Sequence, residues 1–322
     1  MSVPPGNPIQ PQGPALAQCA QRVLMVRPSR FGFNAETAQS NRFQVQPAEA
    51  CPDEIHDQAL REFDSLCAAL DQAGITAHVF EDDPLPHTPD AIFPNNWVSF
   101  HGDGSLVYYP LMAENRRPEL RRDWIASLQQ DLGHPWTREI DLTPMGAEGA
   151  FLEGTGSLIL DHAQRIAYAG LSNRTTRVGL SRFQAASGYQ VLAFDTRDGH
   201  GLPIYHTNVM MALGESHAVV CIDAVWDPAQ RKALLDALEA AHKEVLPIDL
   251  EQVAHFAGNQ LALRSQDGDP VILLSRSALR SLRPDQVRRL EHHATLAPVA
   301  LDTIEAYGGG SARCMMAELH MP

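Results

Sequence analysis

Breaking a carbon–nitrogen bond by covalent catalysis requires a nucleophile, a proton carrier and an acid to hold that carrier. Cys314 follows Gly308-Gly309-Gly310 near the end of the chain. Consecutive glycines carry no side-chain bulk and let backbone approach a ligand closely. A cysteine just past such a loop is placed to be an exposed thiolate, the nucleophilic form of the side chain. His206 lies in Tyr205-His206-Thr207-Asn208, ahead of an apolar run. Imidazole holds or releases a proton near neutrality, which suits activating a thiol or protonating a departing amine. Glu153, in Phe151-Leu152-Glu153-Gly154-Thr155-Gly156, is a carboxylate in an apolar, glycine-rich turn. Such a group is costly unless paired, so it fits orienting His206 or holding a substrate N–H. Asp90, ahead of Phe93-Pro94-Asn95-Asn96, is a second acceptor for substrate N–H groups. Arg174, in Ser172-Asn173-Arg174-Thr175, is a candidate clamp for a substrate carboxylate. Each residue alone is equally compatible with a plain role: a small buried hydrophobe, a solvated turn acid, a surface arginine. What raises His206 is that it stands in a recurring turn equivalent to that of Cys314.

A turn containing Gly or Asn runs into an apolar strand in five segments, which begin at Phe93, Glu153, His206, Ala257 and Gly310. The period is roughly 50–60 residues, the signature of repeated supersecondary units. Five such units would gather five strand ends, and the polar residues of their turns, around one axis. Between the turns, Val23–Val26 reads as a buried strand and Glu54–Ala73 as a helix. Ile75–Phe80 is a strand, Gln230–Ala241 a helix, Val271–Leu274 a strand and Pro284–His292 a helix. Strands alternating with helices make this an α/β chain. No linker-like stretch divides it, so one domain is expected over residues 21–322, after a disordered leader at 1–20 rich in Pro, Gln and Gly.

The 322 residues are ample for a large core, with 44% hydrophobic and 20% charged side chains. A formal charge of −14 repels phosphate backbones and argues against a nucleic-acid partner. The five cysteines are an odd number and form no CxxC or His/Cys ligand cluster. A disulfide framework and a structural metal are therefore not expected, and a reducing, cytoplasmic setting is. No stretch approaches the roughly 20 apolar residues of a membrane span. The chain has no P-loop, no His-Glu-x-x-His and no Gly-x-Ser-x-Gly. The tail Ala317-Glu318-Leu319-His320 reads as structural.

Taken in order, Asp90-x-x-Phe93-x-x-Asn96-Trp97, Glu153-Gly154-Thr155-Gly156, His206-x-Asn208 and the Gly-Gly-Gly-x-x-x-Cys314-Met315 ending resemble the guanidino-group-modifying enzymes. The resemblance runs from about Arg22 to the C-terminus. It is nearest to an arginine-deiminase-related branch described as citrulline utilisation hydrolases, whose opening segment is similar to Met25–Pro28, Phe31–Asn34 and Asn41–Gln44. It implies a five-bladed α/β-propeller (pentein) of ββαβ units. It also implies Cys314 as nucleophile, His206 as general acid/base and Glu153 as its acidic partner. Asp90, Asn95, Asn96, Arg174 and Asn208 become the substrate-binding candidates. No metal or organic cofactor is implied, since nucleophile, acid/base and carboxylate suffice for C–N cleavage. The expected partner is a small amino-acid substrate; homo-oligomerisation is left open.

Two positions depart from the family pattern. Arginine deiminases place a carboxylate two residues after the histidine, where this chain has Asn208, and another in the loop matching Asn96. Those carboxylates hold a guanidinium cation. Losing a charge-assisted contact costs on the order of 1.5–3 kcal/mol. An asparagine can donate to a carbonyl oxygen and also accept an N–H. A neutral ureido group needs that mixture, so citrulline is expected to yield ornithine, ammonia and carbon dioxide. The alternatives are an arginine deiminase, a dimethylarginine dimethylaminohydrolase, an amidinotransferase, or a non-catalytic ligand-binding propeller.

Overall fold

The computed structural model describes residues 16–46, 51–133 and 136–321. Residues 1–15 of the expected leader lie outside the described residues. Its last residues do not behave as a leader: Gln18, Cys19 and Ala20 are buried. Gln18 Nε2 donates to Leu160 O, and its Oε1 accepts from His162 N. Ordered chain therefore starts before Arg22, because these side chains find partners more than 140 residues away.

In chain order the strands are β1 (Arg22–Arg27), β2 (Thr76–Glu81), β3 (Val98–Phe100), β4 (Ser105–Tyr108) and β5 (Arg138–Asp141). They continue with β6 (Ile159–Asp161), β7 (Ile166–Leu171), β8 (Gln190–Asp195), β9 (Met211–Leu213) and β10 (His217–Val220). The last are β11 (Glu244–Pro247), β12 (Leu261–Arg264), β13 (Pro270–Ser275), β14 (Thr295–Val299) and β15 (Ala317–Glu318). They form five three-stranded sheets of one design: β3-β4-β5, β6-β7-β8, β9-β10-β11, β12-β13-β14 and β15-β1-β2. In each, the central strand is antiparallel to the first and parallel to the third. The last sheet joins the two ends of the described chain, pairing Leu24 with Ala317. The turn-into-strand segments thus mark real repeats, and each parallel pair is bridged by helix, as a parallel connection requires.

The helices form where the apolar spacing predicts them. Pro52–Gln72 starts with Pro at N1 and acids in its first turn, and buries Ile55, Ala59, Phe63, Leu66 and Leu70 along one face. Pro228–Ala240 is capped by Asp227, whose carboxylate accepts from Ala229 N and Gln230 N. Pro284–His293 buries Leu290. Among the described residues no helix is long and apolar enough to cross a membrane.

Three of the short first strands, β3, β6 and β9, are buried at every residue. The turns that precede first strands pack on one another: Gly154–Ser157 touches both Pro94–Asn96 and Thr207–Val209, and Ala312–Met315 touches Pro94–Asn96. This crowding explains two glycines. Gly154 has φ +47 and abuts the Asn95 carbonyl, so a side chain there meets both strain and backbone. A Cβ on Gly156 would stand 2.7 Å from His206 Nδ1 and 2.6 Å from Asn96 Nδ2.

Candidate active site

The packed turns bring residues far apart in sequence to one small cavity. Asp90, Phe93, Asn96, Arg116, Arg174, Tyr205, His206, Gly308–Gly310 and Cys314 line it, with Asn41. Its volume is only about 10 Å³, near the room of a single water.

Cys314 ends a tight turn in which its N–H donates to Ser311 O at 2.9 Å. Its sulfur accepts two amide N–H groups, from Asn208 Nδ2 at 3.4 Å and Asn259 Nδ2 at 3.2 Å. Asn259 is itself held: its Nδ2 also donates to Asn208 O and its Oδ1 accepts from Arg313 N. The expectation of an exposed thiolate is corrected here, since the residue is 3% exposed. Burial pushes the thiol above its ordinary value, against the opposing donors from Ser311, Asn259 and Asn208. The glycine loop does not open onto solvent because its carbonyls are covered. Asn41 and Gln44 donate to Gly308 O, while Asn41 and the Tyr205 hydroxyl donate to Gly309 O.

His206 is held from behind by Glu153, with 2.8 Å between Nε2 and Oε2. Burial alone would raise the Glu153 carboxyl, but Arg174, His206 and Arg116 outweigh it and hold it well below the carboxylate range. The ionised Glu153 carboxylate accepts from Nε2–H, which leaves the lone pair on Nδ1, beside Gly156. Burial pushes the imidazole down to about 4, against the pull of Glu153. Near neutral pH Cys314 and His206 are both uncharged, a thiol and an imidazole able to accept a proton.

The charged wall contains Arg116, which the sequence reading did not single out. It is fully buried and clamped by Glu119 through Nε at 2.9 Å and Nη2 at 2.8 Å. Its Nη1 donates to Asn96 Oδ1 at 2.8 Å, and its Nε lies 3.6 Å from Asp90 Oδ2. Arg174 donates to Ser40 Oγ, Thr37 O and, at 3.4 Å, Glu153 Oε2. Asp90 Oδ2 accepts from Asn34 and Thr37, whereas its Oδ1 is buried without a partner. Asn208 Oδ1 is likewise buried and unpartnered. Such orphaned acceptors are costly, and both belong to side chains at the cavity or at Cys314.

Of the expected residues, Cys314, His206, Asp90, Asn96 and Arg174 line the cavity. Glu153 and Asn208 reach it through His206 and Cys314. Asn95 does not line it; its Oδ1 accepts from Asn96 Nδ2, so it braces its neighbour instead. Arg116, Glu119 and Asn259 are added. Asn259 lies in one of the repeated turns, and that was its only sequence signal. The segment 34–44 supplies Asn34, Thr37, Ser40, Asn41 and Gln44, which close the cavity from outside.

A buried cysteine, imidazole and carboxylate on five repeated sheets define a class: covalent cysteine chemistry on an α/β scaffold. The match to a family model narrows it. Residues 27–321 match the family described as N,N dimethylarginine dimethylhydrolase, eukaryotic. The chain belongs to that family, within the pentein guanidino-group-modifying superfamily. The solved structures agree on the fold. The apo arginine dihydrolase ArgZ from the ornithine-ammonia cycle in cyanobacteria superposes with TM-score 0.72 at 15% identity, over 94% of this chain and 41% of that one. The chain thus spans about two fifths of full-length ArgZ. It covers 98% of the separately solved ArgZ N-terminal domain bound to substrate, with TM-score 0.71 at 15% identity over 94% of this chain. A dimethylarginine dimethylaminohydrolase adduct with S-methyl-L-thiocitrulline gives 0.64 at 15% identity, over 93% of this chain and 99% of that one. A search of curated protein sequences finds no match.

Proposed function

We propose that this chain is a cysteine-dependent hydrolase of ureido or guanidino amino acids, with citrulline as the favoured substrate. We also infer that its five sheets close as blades around the cavity. The observation that carries the substrate choice is the pair of amides, Asn208 and Asn259, on the Cys314 sulfur, with Asn96 lining the same cavity. Amides support a developing thiolate without the anionic cage that a guanidinium cation needs. Arg116 and Arg174 suit the substrate α-carboxylate, and the free Asp90 Oδ1 suits a substrate N–H.

In the proposed reaction the Cys314 proton passes to His206 once substrate is bound, as sulfur attacks the ureido carbon. The proton passes to the departing nitrogen, the C–N bond breaks, and a carbamoyl group is left on sulfur. His206 then takes a proton from water, whose oxygen displaces the thiol. Carbamate decays to ammonia and carbon dioxide, and ornithine is the amine product if the side-chain nitrogen leaves. Glu153 stabilises the imidazolium formed in each half.

A guanidino substrate is the second reading, favoured by the family model and by the acids Asp90, Glu119 and Glu153 around the arginines. The test is a product assay with citrulline, arginine, methylarginines and agmatine, reading ornithine and citrulline for the amino acids and N-carbamoylputrescine or putrescine for agmatine. Ornithine from citrulline supports the first reading. Turnover of arginine or methylarginines with none of citrulline overturns it and leaves the nucleophile standing. No turnover of any would make the chain a non-catalytic binder.

A further inference from the structure

The catalytic turns precede the first strands, and a second set of side chains follows the same strands. His101 comes directly after β3, His162 directly after β6, and Glu318 and His320 lie in and just beyond β15. Cys314 and His320 are six residues apart along largely extended chain, so this set lies up to roughly 20 Å from the nucleophile. Two of them, His162 and Glu318, line a different cavity of about 20 Å³, together with Gln18, Gln260 and Arg313 among others.

We propose that His162, Glu318 and His320 form a binding site for a divalent transition-metal ion of the zinc class. One ligand atom from each lies within 4.8 Å of the others. Two imidazoles and one carboxylate are a donor set that zinc accepts, with a fourth position left for a neutral ligand or water.

Two orphaned atoms point the same way. His320 Nε2 is buried without a hydrogen-bond partner, and so is Gln260 Oε1, which faces this cavity. Both residues are at most 5% exposed. A lone pair on each would otherwise go unmet in the interior. The first is a ligand atom, and the second fits the fourth position directly or through a water.

The outer contacts are those a metal site requires. His162 Nδ1 and the Tyr189 hydroxyl are 2.8 Å apart, and the hydroxyl lies 3.4 Å from His101 Nδ1. His101 Nε2 in turn meets Ser99 Oγ at 2.8 Å. With His162 Nδ1–H donating into this relay, its Nε2 keeps the lone pair a metal uses. Glu318 Oε2 is held by Arg313 Nη2 at 2.6 Å, while Oε1 lies 3.8 Å from His320 Nε2. The Arg313 charge opposes a cation and sets affinity below that of an all-neutral or anionic surround. The ligands come from β15 and from the end of β6, over 150 residues apart, so an ion would tie the chain's last strand to its middle.

The test uses metal-stripped full-length Cys314→Ala protein, which removes the one thiol in the catalytic cavity. Zinc is titrated by calorimetry and cobalt(II) by its visible absorption. The expected result is one ion per chain, tetrahedral cobalt bands without thiolate charge transfer, and a melting temperature raised by zinc. His320→Gln and His162→Gln should each weaken binding at least tenfold. Should either variant fail to fold, Tyr189→Phe, which removes only the outer contact, should weaken binding severalfold. No saturable binding, binding unchanged in a folded variant, or a thiolate–cobalt band would each overturn the proposal.

Discussion

Asn208→Ala isolates the electrostatic support of the nucleophile. Among the described residues Asn208 Nδ2 touches no acceptor but Cys314 Sγ, at 3.4 Å, and Oδ1 has no partner. Removing this amide therefore breaks nothing else, unlike Asn259, which also braces Asn208 O and Arg313 N. A hydrogen bond to a charged group contributes about 1.5–3 kcal/mol. The long contact and soft acceptor place this one at the low end. At 1.36 kcal/mol per pKa unit, the thiol should titrate about one unit higher in the variant. The sign is fixed: a donor stabilises the thiolate, so its loss raises the pKa, adding to what burial already does. The assay is a pH titration of thiolate ultraviolet absorbance, with Cys314→Ser subtracted in each background to remove the other cysteines. The low-pH limb of kcat/KM should move upward by a similar amount. Superimposable titrations for native and variant protein would refute the idea that Asn208 supports the thiolate.

Two further outcomes follow from the crowded turns and the buried imidazoles. Gly156→Ala drives a methyl group to within 2.7 Å of His206 Nδ1 and 2.6 Å of Asn96 Nδ2. Steady-state kinetics should show kcat falling at least tenfold while circular dichroism stays native; full activity would mean that Nδ1 is not the working nitrogen. Acid should unfold the protein through its histidines: burial pushes His206 and His217 down to about 4 and His101 down to about 3. Their folded values lie below the unfolded ~6.5, so the unfolded chain binds more protons. The stability is full above that value and is lost as pH falls toward 4. Each should cost about 2 kcal/mol between pH 6.5 and 5; a denaturation midpoint unchanged over that range would exclude it.

What was legible in the sequence is what repeats. Cys314, His206 and Glu153 each stand in or beside a turn that leads into a first strand, so periodicity reinforced what the glycine loops and residue types suggested. Helices such as Pro52–Gln72 announced themselves by an apolar stripe. Arg116 and Glu119 did not, because Glu114–Glu119 is a polar stretch without a period, and charge there reads as surface. Only burial by distant segments turns that pair inward. The same cause defeats the expectation of an exposed thiolate. The three glycines would open onto solvent if nothing covered them, but Asn41, Gln44 and Tyr205 take up their carbonyls from elsewhere in the chain.

Closure and resting charge are then two sides of one design. A cavity of about 10 Å³ excludes bulk water, and exclusion of water is what holds both sulfur and imidazole neutral. An ionic thiolate–imidazolium pair would be stabilised by Asn208 and Asn259 on one side and Glu153 on the other, yet burial works against forming it before anything is bound. The 34–44 segment lies over this cavity, with Asn34 and Thr37 on Asp90 Oδ2 and Ser40 and Thr37 on Arg174. On the proposed reading a substrate would replace Ser40 and Thr37 at Arg174 and meet the unpartnered Oδ1 of Asp90. On that reading the carbon that sulfur attacks arrives with the exchange, so proton transfer would be tied to occupancy and the unoccupied cysteine would be a poor nucleophile.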